Sequence, residues 1–174
     1  LVEKSGIQDA DGYASWNLTV NPANSTLSDV LVTDTPSSNQ SVDLDSLVVN
    51  GTTVDAAGNL TVDPQAVLKK DTDYTVDYVQ DGTGQWQLKI AFANTIESAY
   101  VISYRATVYA DSNNPMSQTT NTAKITGTNK IEVDDNTTSS VLVELNKGEG
   151  VLKGTRKDLV IHKVNADGAN LAGA

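Results

Sequence analysis

The chain has no cysteine among its 174 residues, so neither a disulfide framework nor a thiolate metal site can form. An exported protein built this way relies on another covalent tie or on none. No run of about 18 apolar residues is present to cross a bilayer as a helix. Leu1-Val2-Glu3-Lys4 also lacks the basic-then-apolar layout of a signal peptide, as expected of a mature or excised fragment. Basic residues are scarce: 12 Lys and Arg face 22 Asp and Glu, a formal net charge of -10. That surplus repels phosphate backbones and anionic lipid, which argues against nucleic acid as a partner and against membrane insertion. His162 is the only histidine. Without a Gly-x-Ser-x-Gly elbow, paired metal-ligand histidines or a Gly-x-x-x-x-Gly-Lys run, the hydrolase, metalloenzyme and nucleotide-binding readings lack their parts, and no cofactor or metal is expected.

Also missing are long stretches with apolar residues every three to four positions. Thr, Val, Asn, Asp, Ser and Gly dominate instead, which favours strands joined by turns. Trp16, Leu18 and Val20 alternate with Asn17, Thr19 and Asn21; Trp86, Leu88, Ile90 and Phe92 with Gln87, Lys89 and Ala91; and Tyr100, Ile102, Tyr104, Ala106 and Val108 with Ser103, Arg105 and Thr107. Turn chemistry separates such segments at Asn50-Gly51, Ala57-Gly58-Asn59, Asp81-Gly82-Thr83-Gly84 and Asp111-Ser112-Asn113-Asn114-Pro115. Roughly ten short strands at this spacing predict an all-β, immunoglobulin-like two-sheet antiparallel sandwich. One short helix is expected at Pro64 to Lys70, with Asp63 as its N-cap. The text changes after Asn146, which predicts a first domain over 1–146, a Gly-rich linker over 147–157 and a fresh strand opening a second module over 158–174.

Residues two apart share a side of a strand, so the alternation also assigns faces. Asp34 falls on the side of Val30 and Val32, Asn121 on the side of Ala123 and Ile125, and Lys4 on the side of Val2. An isolated charge in an apolar core is costly, and burial favours the neutral form: a nucleophilic amine, or a carboxylic acid able to donate a proton. If the three meet, Lys4 can attack the side-chain carbonyl of Asn121 while Asp34 polarises it and shuttles protons. Ammonia leaves and an intramolecular isopeptide bond remains. The same residues also admit a plain reading, with Asp34 in a turn before Pro36, Asn121 at an edge and Lys4 snorkelling at a frayed terminus.

Over residues 1–146 the sequence resembles the collagen-adhesin A-type domains of Gram-positive surface proteins. The likeness rests on the early Lys4, the Trp16 to Asn21 strand, the stretch Leu27 to Thr35 and the late Asn121-Thr122-Ala123-Lys124-Ile125. It implies Lys4 as nucleophile, Asn121 as amide donor and Asp34 as catalyst of the bond. The tail from Leu159 to Ala174 is similar to the opening strand of B-type domains, with Asn165 where an Asp is usual and a spacing to Gly168 one residue shorter than in many members. Lys163 would be the crosslinking lysine of that next module, and it is expected to be unreacted because its partners lie beyond Ala174.

These residues predict a cell-surface adhesion module rather than an enzyme: extracellular, anchored to the cell wall, and a monomer within a multidomain chain. Its partner would be a host extracellular-matrix protein or glycan, and the alternative is a structural stalk or pilus-type spacer. Six Asn-x-Ser/Thr matches are assigned no role in so Asn- and Thr-rich a chain. Asp9-Ala10-Asp11-Gly12 and Val133-Asp134-Asp135-Asn136 lack the full helix-loop-helix calcium pattern and read as turns.

Overall fold

The structure, a computed structural model, describes residues 2–8, 13–109, 116–129 and 131–144. Within them the alternating segments become strands β1 (Val2–Gln8), β2 (Ala14–Val20), β3 (Ser28–Pro36), β4 (Gln40–Val54), β5 (Leu60–Val67), β6 (Tyr74–Gln80), β7 (Trp86–Phe92), β8 (Tyr100–Val108), β9 (Met116–Asn129) and β10 (Ile131–Glu144). They form two five-stranded sheets, β1-β2-β8-β4-β5 and β10-β9-β3-β7-β6. Every pairing between these strands is antiparallel. The architecture is the expected all-β immunoglobulin-like sandwich.

The inner faces follow the period of two. Trp16, Leu18 and Val20 of β2 and Ile102, Tyr104 and Ala106 of β8 meet Val30 and Val32 of β3, Leu88 and Ile90 of β7, and Ala123 and Ile125 of β9, all buried in one cluster. Each large aliphatic side chain fully removed from water contributes about 1.5–3 kcal/mol relative to exposure. Turns close the strands where Asn and Asp accept a left-handed backbone. Asn21, at φ 57°, ends β2. Its side-chain amide donates to the carbonyls of Ser25 (2.7 Å) and Ser98 (3.2 Å), while its Oδ1 accepts from the Ser25 N–H (2.9 Å).

Four local expectations are corrected. Pro64 to Lys70 do not form a helix: Pro64 lies in β5, an outer strand of its sheet, where the missing N–H costs no interior ladder bond. Asn50-Gly51 is no turn but part of β4. There Asn50 pairs with Val67 and Thr52 with Val62, so Gly51 alone faces the bulge of β5. A Cβ on Gly51 would lie 2.9 Å from that of Ala66, which explains why this position has none. Val133 to Asn136 continue β10, because the adjacent β9 extends the hydrogen-bonding ladder past them. Trp86 was expected inside with Leu88 but is 45% exposed, stacked on Tyr78 with ring centroids 4.8 Å apart where β7 runs beyond the core. The expected turn at 111–115, the Asp9 to Gly12 segment, the linker and the strand over 158–174 lie outside the described residues.

Candidate functional site

The sandwich brings one residue from each of four strands into the space between its sheets. Lys4 comes from β1 and Tyr104 from β8, both in the first sheet; Asp34 comes from β3 and Asn121 from β9, both in the second. Asp34 pairs with Ala123 across the β3–β9 ladder and Asn121 with Pro36, so the carboxyl and the amide are diagonal neighbours on one inner face. Asp34 and Asn121 are both 0% exposed, and so is the Lys4 side chain. The structure thus brings together Lys4, Asp34 and Asn121, the three residues that strand periodicity had placed on apolar faces. Lys163 lies outside the described residues.

Asp34 is the hub. Its Oδ1 accepts a hydrogen bond from Lys4 Nζ and forms an ion pair with it. Its Oδ2 accepts from the Tyr104 hydroxyl and, at 3.2 Å, from Asn121 Nδ2. The same Nδ2 also donates to the Tyr104 oxygen. Asn121 Oδ1 is buried without a hydrogen-bond partner. A buried acceptor left in this way costs about 1–3 kcal/mol, which the two hydrogen bonds of Nδ2 and the packing around it offset.

The amine sits among aromatic faces, with Lys4 Nζ 5.3 Å from the Trp16 ring centroid and 5.9 Å from that of Tyr104. Trp16 is itself fixed: its indole N–H donates to Gln40 Oε1 at 2.8 Å. Gln40 Nε2 in turn donates to the Thr120 carbonyl at 2.9 Å and to Ser37 Oγ at 3.0 Å. This second layer ties β4 to β9 one residue from Asn121. Burial pulls the Lys4 pKa down from 10.5 to about 8, against the opposing charge and hydrogen bond of Asp34. Burial, then the negative charge of Asp34, pushes Tyr104 well above the usual phenol range. The arrangement sets an amine and a primary amide on either side of one carboxyl in a dry space. Proton transfer along the Lys4–Asp34 hydrogen bond would yield a neutral amine beside a carboxylic acid.

Tyr104 and Trp16 were missed as members of the site because both counted as apolar in the alternation. The polar tip of Tyr104 on an otherwise apolar inner face was the signal available. Among the described residues no cluster of three or more His, Cys, Asp or Glu is arranged to hold a metal ion, and no helix is long and apolar enough to cross a membrane. A cleft of about 310 Å³ opens elsewhere, beside β5, lined in part by Gln65, Leu68, Asp73, Phe92, Asn94 and Tyr100.

The fold places the chain in the class of immunoglobulin-like two-sheet domains. More particularly, it belongs to the collagen binding domain family, whose sequence pattern matches residues 1–136. Comparison with curated proteins found no match. Among solved structures, the collagen binding subdomain of the Enterococcus faecalis surface protein ACE is similar at 16% identity and a TM-score of 0.54, over 82% of this chain and 95% of that one. The collagen binding domain of the Erysipelothrix rhusiopathiae surface protein RspB is similar at 18% identity and a TM-score of 0.56, over 81% of this chain and 45% of that one. The major pilin SpaD of Corynebacterium diphtheriae gives 15% identity and a TM-score of 0.51, over 82% of this chain and 34% of that one. At such identities the likeness is one of fold.

Proposed function

We propose that this chain is a matrix-adhesion module displayed on a Gram-positive cell surface and locked by an intramolecular isopeptide bond between Lys4 and Asn121, with Asp34 as catalyst. The observation that carries the lock is the meeting of amine, carboxyl and primary amide between opposite sheets with no water-exposed surface. Lys4 gives a proton to Asp34, its Nζ attacks Cγ of Asn121, and ammonia leaves. Asp34 spends its chemistry once, on its own chain, so the module turns over no external substrate. The bond would join β1 in one sheet to β9 in the other, so a pull on the chain loads a covalent link in place of strand hydrogen bonds. Such a tie fits a domain that contains no cysteine and holds a cell under shear.

The adhesive role rests on membership of the collagen binding domain family, which makes an extracellular-matrix protein, collagen foremost, the partner. The open cleft beside β5 and the exposed Val62 (45%) and Val67 (53%) of that edge strand supply surface for an extended ligand. Residues 147–157 would link the module to a further one beginning at 158–174, in a monomeric chain anchored to the cell wall. Binding of the purified chain to immobilised triple-helical collagen tests adhesion. Saturable binding supports it; absence of binding to collagen and to other matrix proteins by a correctly crosslinked chain would leave the pilus-type spacer in its place. Peptide mapping tests the lock, by recovering the Lys4 peptide joined to the Asn121 peptide.

A further inference from the structure

We infer that Tyr104 is the proton relay to the leaving nitrogen of Asn121, a role that rests on the crosslink proposed above. An unbroken hydrogen-bonded path runs from the attacking nitrogen to the departing one. Lys4 Nζ donates to Asp34 Oδ1, the Tyr104 hydroxyl donates to Asp34 Oδ2, and Asn121 Nδ2 donates to the Tyr104 oxygen. Asp34 Oδ2 also reaches Nδ2 directly, but at 3.2 Å, the long end of the hydrogen-bond range. The phenol is thus hydrogen-bonded to both catalyst and leaving group.

The chemistry needs such a group. An amide nitrogen leaves readily only as ammonia, so Nδ2 must gain a proton as its bond to Cγ breaks. Lys4 first passes one proton to Asp34, and Nζ then bonds to Cγ, placing negative charge on Oδ1 of Asn121. With the carboxyl proton exchanged to Oδ2, Asp34 gives it to Tyr104 while Tyr104 gives its own proton to Nδ2, and Asp34 Oδ1 accepts a second proton from Nζ. The Cγ–Nδ2 bond breaks, the carbonyl re-forms and ammonia departs. Three protons of the ammonium and two of the amide end as one on the new amide, three on ammonia and one on Asp34. Because burial and the charge of Asp34 disfavour phenolate, Tyr104 passes protons without standing ionised.

Time-resolved intact mass of the newly translated chain tests the relay, since the reaction then starts from uncrosslinked protein. Tyr104→Phe is expected to lose ammonia roughly 10²-fold more slowly than the unmutated chain, the lower end for a positioned proton donor, because the direct Asp34 contact remains. Equal rates would overturn the relay and leave the crosslink standing. An unmutated chain that never loses ammonia would overturn the crosslink and the relay with it. Should Tyr104→Phe fail to fold, 3-fluorotyrosine at position 104 keeps the hydroxyl and changes only its acidity. A several-fold change in rate supports the relay, and an unchanged rate overturns it.

Discussion

Asp81 and Asp34 each gather three hydrogen-bond donors, in opposite settings. Asp81, in the exposed turn between β6 and β7, accepts on Oδ1 from the Thr83 hydroxyl (2.6 Å), the Thr83 N–H (2.8 Å) and the Gln85 N–H (3.1 Å). Those bonds, the Thr83 hydroxyl first, hold its carboxyl below the usual range. Asp34 accepts from the Lys4 amine, the Tyr104 hydroxyl and the Asn121 amide between the sheets. The number of donors is the same. What differs is that the donors of Asp81 are a turn's own backbone and a hydroxyl in water, whereas those of Asp34 are an amine and an amide that can react with each other once water is excluded. A carboxylate hub thus shapes a turn at the surface and organises chemistry in the core.

Substitutions sharpen that contrast, beginning with the largest effect. Lys4→Ala would remove the proposed bond together with a side chain that is fully buried. The loop that this bond would close, from 4 to 121, spans 117 positions. By the chain-entropy relation for a crosslink of this size, its loss costs about 4–5 kcal/mol. Truncating a buried side chain of that length leaves a cavity and costs about 2–5 kcal/mol more. Urea unfolding measures the total. Asn121→Ala keeps the ion pair and should show only the crosslink's share, about 4–5 kcal/mol.

That second variant also carries a pH signature. With a free amine at position 4, the folded pKa is about 8 against 10.5 in the unfolded chain. Between those values the unfolded chain binds more protons, so stability rises with pH from 8 towards 10, by about 1–3 kcal/mol. Above pH 10 the raised Tyr104 pKa acts in the other direction, because the unfolded phenol ionises first. The crosslinked chain has no amine there, and its unfolding midpoint should lack the rise. Gly51→Ala, far from the site, forces a Cβ against Ala66 and should cost about 1–3 kcal/mol by overpacking, with the crosslink intact. Asp81→Ala should give the smallest loss of thermal stability of the set and leave the crosslink untouched.

Strand parity made the inner faces legible, because Asp34 and Asn121 each sit among apolar neighbours two residues away on long alternating runs. Lys4 was harder to read, since β1 is short and its face rested on Val2 alone. Tyr104 went unnoticed because its ring satisfies an apolar alternation while its hydroxyl does not. The helix expected at Pro64 and the turn at Asn50-Gly51 were both overridden by pairing between β4 and β5, where a bulge consumes Pro64 and requires Gly51. Local propensity carries no record of a partner strand met later in the chain. The exposure of Trp86 likewise depends on where β7 outruns the core, which alternation alone does not mark.

The intact mass of the unmutated chain, set beside Lys4→Ala and Asn121→Ala, tests the central claim most directly. The account predicts that the unmutated chain is lighter than its sequence mass by one ammonia and that each variant matches its own sequence mass. An unmutated chain of full sequence mass would contradict it.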